Sequence, residues 1–510
     1  MRQSTINSRV KLAGLPGISI AMCCAMLAGC NVGPTYIPPA MTAPTAYKES
    51  PAEFKETDGW QVAQPQDGVL RGKWWEIYNE PELNSLEEKL NVENQNIRQA
   101  LENFMEARAQ VREARSQYFP TVGLGGSYSR SRSSSNVGSA AGSGATGGQS
   151  QLLSIPADVS WEPDLWGKIR NTVHASQFAA QLTAADLENE RLSEQASLAK
   201  YYFEMRGQDA LQKLLNETVD ADKKALDSVR AAYETGVGGQ IAVVEAQTTL
   251  ESAQSAAINL GIARAQYEHA IATLIGTPAS EFSIPIKPLT TVPPVIPVGL
   301  PSQLLERRPD VAAAERNMAA ANAQIGVATA AFYPTLTLSA TGGAQSSALK
   351  NLLAWPSRIW SVGPSISETV YDGGLRRATA NQYVATFNAD LAAYRQSVLM
   401  AFQQVEDSLA AVRILSQQTR QQQEAVDSSR TFQKLESVRY ETGIDPYIDV
   451  VTAQTTLLTN EQLLASLKVE QMTASVQLIE SLGGGWDRSQ LPTPSQVAQK
   501  PLKSETVIQH

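Results

Sequence analysis

Cysteine and histidine are scarce in this 510-residue chain, which contains only three of each. All three cysteines lie within the first thirty positions, and the histidines, His174, His269 and His510, are far apart. Zinc sites need several such ligands at short spacings. The chain also lacks a G-x-S-x-G nucleophile elbow and a Walker-type phosphate loop. We therefore expect no enzyme activity, no metal site and no cofactor.

Positive charge and long apolar runs are also lacking. The chain has 42 Lys and Arg against 51 Asp and Glu, which gives a formal net charge of −9. This balance argues against nucleic-acid binding, which needs clustered positive charge. Beyond the first thirty residues no run of eighteen apolar residues occurs, so the sequence predicts no transmembrane helix. Residence in a membrane would then require a lipid anchor, a β-barrel or both.

Residues 1–29 have the composition of an export signal, with a basic head followed by a mostly apolar stretch. The stretch ends in Leu27-Ala28-Gly29-Cys30, which resembles a bacterial lipobox, where the cysteine sulfur receives a lipid. An ordinary signal peptide that contains cysteine is the alternative. Asn31 follows Cys30 instead of an aspartate, which implies the outer membrane. Removal of residues 1–29 would leave Cys30 without a disulfide partner and, because three positive charges are lost, would change the net charge from −9 to −12.

The remaining chain contains one unit twice. The clearest matches, each 207 positions apart, are Tyr233–Gly236 with Tyr440–Gly443 and Ala246–Leu250 with Ala453–Leu457. An earlier pair, Tyr118–Thr121 and Phe332–Thr335, is 214 positions apart, so the first copy has seven additional residues. These fall in the Ser/Gly-rich run 131–148, as expected for an insertion in a surface loop.

Each copy predicts long helices. Residues 83–117 contain no Gly or Pro and predict one helix. Residues 167–233 and 375–440 each predict a continuous helix of about 65 residues, or about 100 Å, which is too long for a compact domain. Coiled-coil packing is indicated by a heptad repeat of apolar residues at Leu391, Val398, Val405 and Val412.

Four segments alternate between apolar and polar residues and predict strands at 121–130, 152–162, 334–341 and 360–371. The alternation alone fits a soluble sandwich equally well, but aromatic residues at the strand ends favour the wall of an outer-membrane barrel. Four strands cannot close a barrel, because about eight is the practical minimum. A membrane-spanning form therefore requires several chains, and a homotrimer would supply twelve strands.

The predicted organisation has five parts. They are the signal 1–29, a lipidated N-terminal tether and equatorial segment 30–80, the first repeat 81–290, the second repeat 291–486 and a flexible tail 487–510.

Several motifs together resemble the TolC family of outer-membrane channel proteins, most closely the lipoprotein branch (OprM-like) that serves RND drug-efflux systems. The residues that carry the resemblance are Cys30, Trp74-Trp75, Leu305–Val311, Phe332–Pro334, Asp372–Gly374, Tyr440–Gly443 and Leu482–Trp486. They span nearly the whole mature length in the expected order.

The resemblance implies a mainly α-helical chain with transmembrane β-strands. The homotrimer would form a twelve-stranded β-barrel in the outer membrane, anchored by the lipid on Cys30, and a twelve-helix periplasmic tunnel. Its partners would be a periplasmic adaptor protein and an inner-membrane RND-type pump, and it would export drugs or other small toxic compounds. The alternatives are the channel of a type I protein secretion system and a structural periplasmic lipoprotein that is not a channel.

The resemblance also implies docking residues. The turns that carry Thr235, Gly236, Thr442 and Gly443 would be the tips that dock the adaptor. A simpler interpretation of these glycines is a helix C-cap, and both can hold.

The resemblance places Ile448, Asp449 and Thr452 at the constriction of the tunnel, and Glu245 is the first-copy equivalent of Thr452. A three-fold ring of Asp449 would favour cations, although an exposed helix-surface charge is the alternative. Asp445 occupies the position where one family member has a gate-locking arginine. An apolar ring of Ile448 is therefore the expected seal.

Overall fold

The computed structural model describes residues 31–40, 44, 46–49, 72–132, 134, 149–296 and 306–499. The predicted signal, Cys30 and most of the Ser/Gly-rich run lie outside the described residues.

The helices and strands follow each other in the same order in both repeats. The helices are α1 (Pro81–Glu93), α2 (Gln95–Ser116), α3 (Lys168–Glu234), α4 (Gln240–Leu274), α5 (Pro309–Ala330), α6 (Leu375–Glu441), α7 (Tyr447–Ser481) and α8 (Pro494–Val497). The strands are β1 (Thr121–Leu124), β2 (Ser127–Arg132), β3 (Gln149–Trp161), β4 (Thr335–Ser346) and β5 (Arg358–Ser367). Short 3-10 helices occupy Trp74–Tyr78, Ala279–Glu281, Leu349–Asn351, Trp355–Ser357 and Arg488–Gln490.

Two helical hairpins dominate the molecule. The long helices α3 and α6 have 67 residues each and are continuous, as predicted, and the return helices α4 and α7 have 35 each. In each hairpin the return helix packs along the long helix, and α3 also packs against α5 and α7, which joins the two repeats. None of the helices in the described ranges has a stretch hydrophobic enough to serve as a membrane-crossing segment.

The single helix predicted for residues 83–117 is wrong, because Asn94 divides it into α1 and α2. Asn94 is extended, with φ −64° and ψ 128°, and its side-chain oxygen accepts hydrogen bonds from the amides of Asn96 and Ile97. Asparagine is among the preferred residues at a helix N-cap. The side-chain amide of Asn94 also donates a hydrogen bond to the Leu274 carbonyl at 2.9 Å, which attaches the break between α1 and α2 to the end of α4.

The strands form one antiparallel sheet. Its first position is shared by β1 and β2, and β3, β4 and β5 follow in that order. Because β1 and β2 both pair with β3, they constitute one interrupted strand, and the sheet is effectively four strands wide, as predicted. The predicted boundaries differ: the second and third strands are longer than predicted, and the last ends at Ser367 instead of 371. Among the described residues, no strand pairs with the outer edges of β1, β2 or β5.

Aromatic side chains and the N-terminal segment meet where the strands join the helices. Trp166 stacks on Tyr333 with ring centroids 4.9 Å apart, and its indole donates to the Pro334 carbonyl at 2.7 Å. The Val32 amide donates to the Trp166 carbonyl, and Asn171 donates to the side-chain oxygen of Asn31 at 2.9 Å. The first described residues are therefore attached to this junction.

The main core lies midway along the hairpins. Trp74 and Tyr78 pack there with Phe203, and the Trp74 indole donates to Gln195 at 3.1 Å. From the predicted heptad, Val398 and Val405 are fully buried in this core, whereas Leu391 and Val412 are half-buried. The heptad stripe of α6 thus faces the core at its centre.

The predicted flexible tail is wrong for residues 487–499, which are folded. Helix α8 has a capping box between Thr493 and Gln496, and Val497 is fully buried. The Gln181 side chain on α3 donates to the Pro492 carbonyl at 2.8 Å. Residues 500–510 lie outside the described residues.

A buried ionic network fixes the segment that links the two repeats. The Asp209 carboxylate accepts hydrogen bonds from Arg206 at 3.0 Å, from Arg264 at 2.8 Å and from the backbone amide of Lys287 at 3.0 Å. Arg206 in turn donates to the Pro285 carbonyl at 2.6 Å and pairs with Glu82. Because Arg206 and Asp209 are both almost completely buried, loss of one would leave the other charge without compensation.

We expect Asp209→Ala to reduce the free energy of unfolding by about 3–5 kcal/mol, because it leaves the buried Arg206 and the partly buried Arg264 short of a partner. The measurement is denaturant unfolding of the detergent-solubilised protein followed by circular dichroism. Glu217→Ala is the control on the same helix: its contact with Lys213 is exposed on both sides, so we expect less than about 1 kcal/mol. Equal effects of the two substitutions would contradict the structural role of the network.

Candidate gate at the tips of the helical hairpins

The two hairpins end in turns with the same backbone conformation. In the first tip (residues 235–239) Gly236 has φ +80°, and in the second tip (residues 442–446) Gly443 has φ +75°. The hydroxyl of Thr235 donates to the Ala231 carbonyl at 3.0 Å, and that of Thr442 donates to the Val438 carbonyl at 2.9 Å. A side chain at either glycine would strain this left-handed conformation. The predicted docking residues therefore lie at the hairpin ends and also cap the long helices.

The second tip contains an ion pair that the first tip cannot form. Arg439 makes two hydrogen bonds to the Asp445 carboxylate, one of which is 2.9 Å from Nη2 to Oδ1. The hydrogen bond from Arg439 lowers the pKa of Asp445. In the first tip Gly238 occupies the position equivalent to Asp445. Asp445 is thus paired within its own hairpin.

Two further carboxylates adjoin this ion pair. Carboxylate oxygens of Glu436, Asp445 and Asp449 lie within 4.8 Å of one another. Partial burial, and then the Asp445 charge, raise the pKa of Glu436. Arg439 is the counter-ion of the group. The predicted gate residue Asp449 therefore belongs to a cluster of like charges at the start of α7.

The other predicted gate residues on α7 share one exposed face. Ile448 is 47% exposed and Thr452 is exposed one turn later, with its hydroxyl donating to the Ile448 carbonyl at 2.9 Å. Ile448 and Thr452 lie four residues apart and therefore on the same side of the helix. Glu245 does not join this surface: it is half-buried on α4, and its charge acts on Tyr447.

Tyr447, which the sequence analysis did not select, anchors the start of α7 to the first hairpin. Its side chain is buried, and its ring lies 5.2 Å from that of Tyr440. The cluster around it, called the tip cluster below, joins both hairpins and consists of Leu226, Val229, Ala246, Leu250, Tyr447 and Val450. Burial, and then the charge of Asp222, raise the pKa of Tyr447 to about 12.

Asp222 is the second residue that the sequence analysis did not select. It lies on α3 and is only 5% exposed, and burial raises its pKa to about 6. Its spacing from Val219, Leu226 and Val229 places it on the stripe of α3 that packs into the tip cluster. This spacing was visible in the sequence, but an isolated acidic residue in such a stripe resembles a solvent-exposed charge until the partner helix is known.

A family model described as "Outer membrane efflux protein" matches residues 86–277 and 300–484. Toluene efflux pump outer membrane protein TtgC of Pseudomonas putida is 31% identical over 471 residues, which cover 92% of this chain and 95% of TtgC. Outer membrane protein OprJ of Pseudomonas aeruginosa is 28% identical over 482 residues, which cover 92% of this chain and 96% of OprJ.

Solved structures agree with these matches. The outer-membrane channel OprN superimposes with a TM-score of 0.80 at 28% identity, and the match covers 90% of this chain and 100% of OprN. The open state of the MtrE outer membrane channel of Neisseria gonorrhoeae gives a TM-score of 0.76 at 26% identity, covering 90% of this chain and 99% of MtrE. The predicted resemblance to TolC-type channels is confirmed. Since the matched ranges cover both hairpins and most of both repeats, this chain belongs to the outer membrane efflux protein family.

Proposed function

We propose that this chain is the outer-membrane channel of a tripartite efflux pump and that it acts as a passive conduit for drugs or other small toxic compounds. The observation that carries the proposal is the connection of one narrow sheet to two long hairpins. Each repeat contributes two strands and one hairpin of about 100 Å. The strands adjoin one end of each long helix, and the tip of the hairpin lies at the other end. Energy for export would come from the partner pump.

The unpaired edges of the sheet support assembly from three chains. An open edge presents backbone donors and acceptors that need partners, above all in a bilayer. Apolar side chains are exposed on both outer strands, including Val122, Leu124, Trp360 and Val362. Three copies would pair β1 and β2 of one chain with β5 of the next, closing twelve strands into a barrel.

The exposed surface of the helices supports the same assembly. On α4, Ile258 and Ile262 are exposed and lie four residues apart on one face of the helix, away from the tip. Exposed apolar patches are typical of surfaces that a partner covers. In a trimer the neighbouring chain would cover this patch, and twelve helices would enclose the tunnel.

The two ends of the rods suggest where the other components bind. At the strand end, Asn171 donates a hydrogen bond to Asn31 close to Trp166 and Tyr333, which are residue types enriched at membrane interfaces. This attachment of Asn31 supports a lipid anchor on the preceding Cys30. At the opposite end, the two tips would dock a periplasmic adaptor protein that connects to an inner-membrane RND-type pump. TtgC is named as part of a toluene efflux pump, which favours efflux over type I protein secretion.

The second tip would form the gate. Three-fold symmetry would bring three copies of the exposed Ile448 and Thr452 face toward the axis, with Ile448 as the apolar seal. Asp449 would add a ring of negative charge that favours cations in a narrow pore. Glu245, which is half-buried against Tyr447, would support this gate from behind instead of lining the pore.

We expect the purified protein to be trimeric and to conduct. Chemical cross-linking followed by mass measurement should give three chains per particle, and reconstitution in planar bilayers should give discrete conductance steps. A monodisperse single chain that produces no conductance would contradict the proposal and would favour a structural periplasmic protein.

We also expect the double substitution Ile448→Ala and Asp449→Ala to raise single-channel conductance on the order of twofold, because it removes the apolar seal and the charged ring. Cells that carry it should become sensitive to large antibiotics that the wild-type outer membrane excludes. The measurements are conductance in planar bilayers and inhibitory concentration.

Ile241→Ala is the matched control, because Ile241 occupies the equivalent place in the first repeat and is 76% exposed. It should leave the conductance unchanged. If both variants change conductance equally, or if neither does, the assignment of the gate to the second tip is wrong.

A further inference from the structure

An internal comparison between the repeats shows that Asp222 lacks a partner that its counterpart has. The equivalent residue 207 positions later is Ser429, which is also buried, and its hydroxyl accepts a hydrogen bond from Asn460 of the return helix at 2.7 Å. Ala253 occupies the position of Asn460 in the first repeat. The return helix α4 therefore offers Asp222 a methyl group where α7 offers Ser429 an amide.

Burial raises the pKa of Asp222, and no described residue donates a hydrogen bond to its carboxylate. A buried carboxyl without a donor is much more stable in the neutral form than in the ionised form. The titratable groups that face this region are Tyr447 from α7, Tyr440 from α6 and Glu245 from α4. None of them carries a positive charge that would compensate ionised Asp222.

The position of Tyr447 connects this carboxyl to the gate. Tyr447 is the first residue of α7 and directly precedes Ile448 and Asp449. Its ring lies in the tip cluster between the two hairpins, and Asp222 is the charge that acts most strongly on its hydroxyl. Withdrawal of Tyr447 from the cluster would move the gate residues and would admit water to Asp222.

We propose that Tyr447 and Asp222 form a charge-sensitive contact that positions the gate: the tip stays packed while Asp222 is neutral and is released more easily once Asp222 is ionised. Tyr447 and Asp222 are positioning residues, because they act through Ile448 and Asp449. The proposal rests on the proposed function of the second tip as the gate.

The direction of the effect follows from linkage. In the packed tip the pKa of Asp222 is about 6, and in a hydrated, open tip it should return toward the ordinary 3.8. The packed tip therefore binds the proton more tightly, is most favoured at low pH and loses this advantage as pH rises through the interval between the two values. With these two values the opening equilibrium increases about tenfold between pH 5 and pH 7.

The test is the open probability of the wild-type channel in planar bilayers at pH 5 and pH 7, compared with Asp222→Asn. We expect the wild type to open about tenfold more readily at pH 7 than at pH 5. The asparagine variant, whose amide is neutral at both values, should show no change between pH 5 and pH 7 and should open less readily than the wild type at both. Asp227→Asn is the matched control, since Asp227 lies on the same helix but is exposed, and it should keep the wild-type response.

Two variants of Tyr447 separate packing from hydrogen bonding. Tyr447→Phe retains the ring that buries Asp222 and should keep the response to pH, whereas Tyr447→Ala admits water to Asp222 and should abolish it. A wild-type channel that does not respond to pH, or a response that Asp222→Asn leaves intact, would overturn the proposal.

A second measurement does not require conductance and so separates this proposal from the proposed function. Hydrogen exchange of a peptide from the start of α7 should be slower in Asp222→Asn than in wild type at pH 7, and the difference should be much smaller at pH 5. Comparison at equal pH cancels the intrinsic pH dependence of exchange. Equal protection of both proteins at pH 7 would overturn the proposal even if the channel conducts.

Discussion

The backbone groups along the two outer edges of the described sheet have no partner strand, and this requirement for partners constrains how the chain can assemble. In water such edges invite non-specific pairing, and in a bilayer each unsatisfied group costs several kcal/mol. The edge of β5 in one copy can pair with the edge of the interrupted first strand in the next copy, because the two outer strands of the antiparallel sheet run in opposite directions. The proposed closed assembly of three chains would then fix the number of helices, since every strand pair continues into one hairpin.

Duplication explains the regular architecture, and divergence between the copies explains the asymmetry at the tips. The backbone of the two turns is the same, with glycine in the left-handed conformation at Gly236 and Gly443. The side chains differ: Arg439 and Asp445 stiffen the second turn, whereas Gly238 and Gly239 leave the first without such a link. In the proposed gate, the second tip would therefore move its exposed residues together, with Tyr447 as its contact with the first hairpin.

Patterns that depend on periodicity could be predicted from the sequence, and features that depend on a particular partner could not. The two long helices were predictable because each uninterrupted stretch has its copy 207 positions away, and four strands followed from alternation. The break at Asn94 was missed because asparagine also occurs inside helices, and only the Leu274 carbonyl beside it shows why the chain breaks there. Residues 487–499 appeared to be a loose tail because their partner, Gln181, is about 300 positions away in the sequence.

The candidate site shows the same limit more sharply. The common face of Ile448 and Thr452 could be predicted because a single helix determines their relation, whereas their assignment to the gate came from the family resemblance and stays a prediction. The ion pair of Arg439 with Asp445 spans a turn, and the electrostatic effect of Asp222 on Tyr447 links residues of two hairpins, so neither has a spacing rule that predicts it.

Two buried acidic residues of α3 have opposite effects on packing: Asp209 near the middle of the helix and Asp222 nearer the tip. Asp209 accepts hydrogen bonds from α3, α4 and the linker, which hold the repeats together at that level. Asp222 lies further along the same helix and has no donor among the described residues, so its ionised form opposes the packing around it. A carboxylate whose charge is compensated makes a static joint, because separation of the partners exposes two unpaired charges. An uncompensated one makes a labile joint, because separation hydrates it. Rigidity near the middle of the rods and lability near the tips is the distribution that a tunnel with a movable end requires.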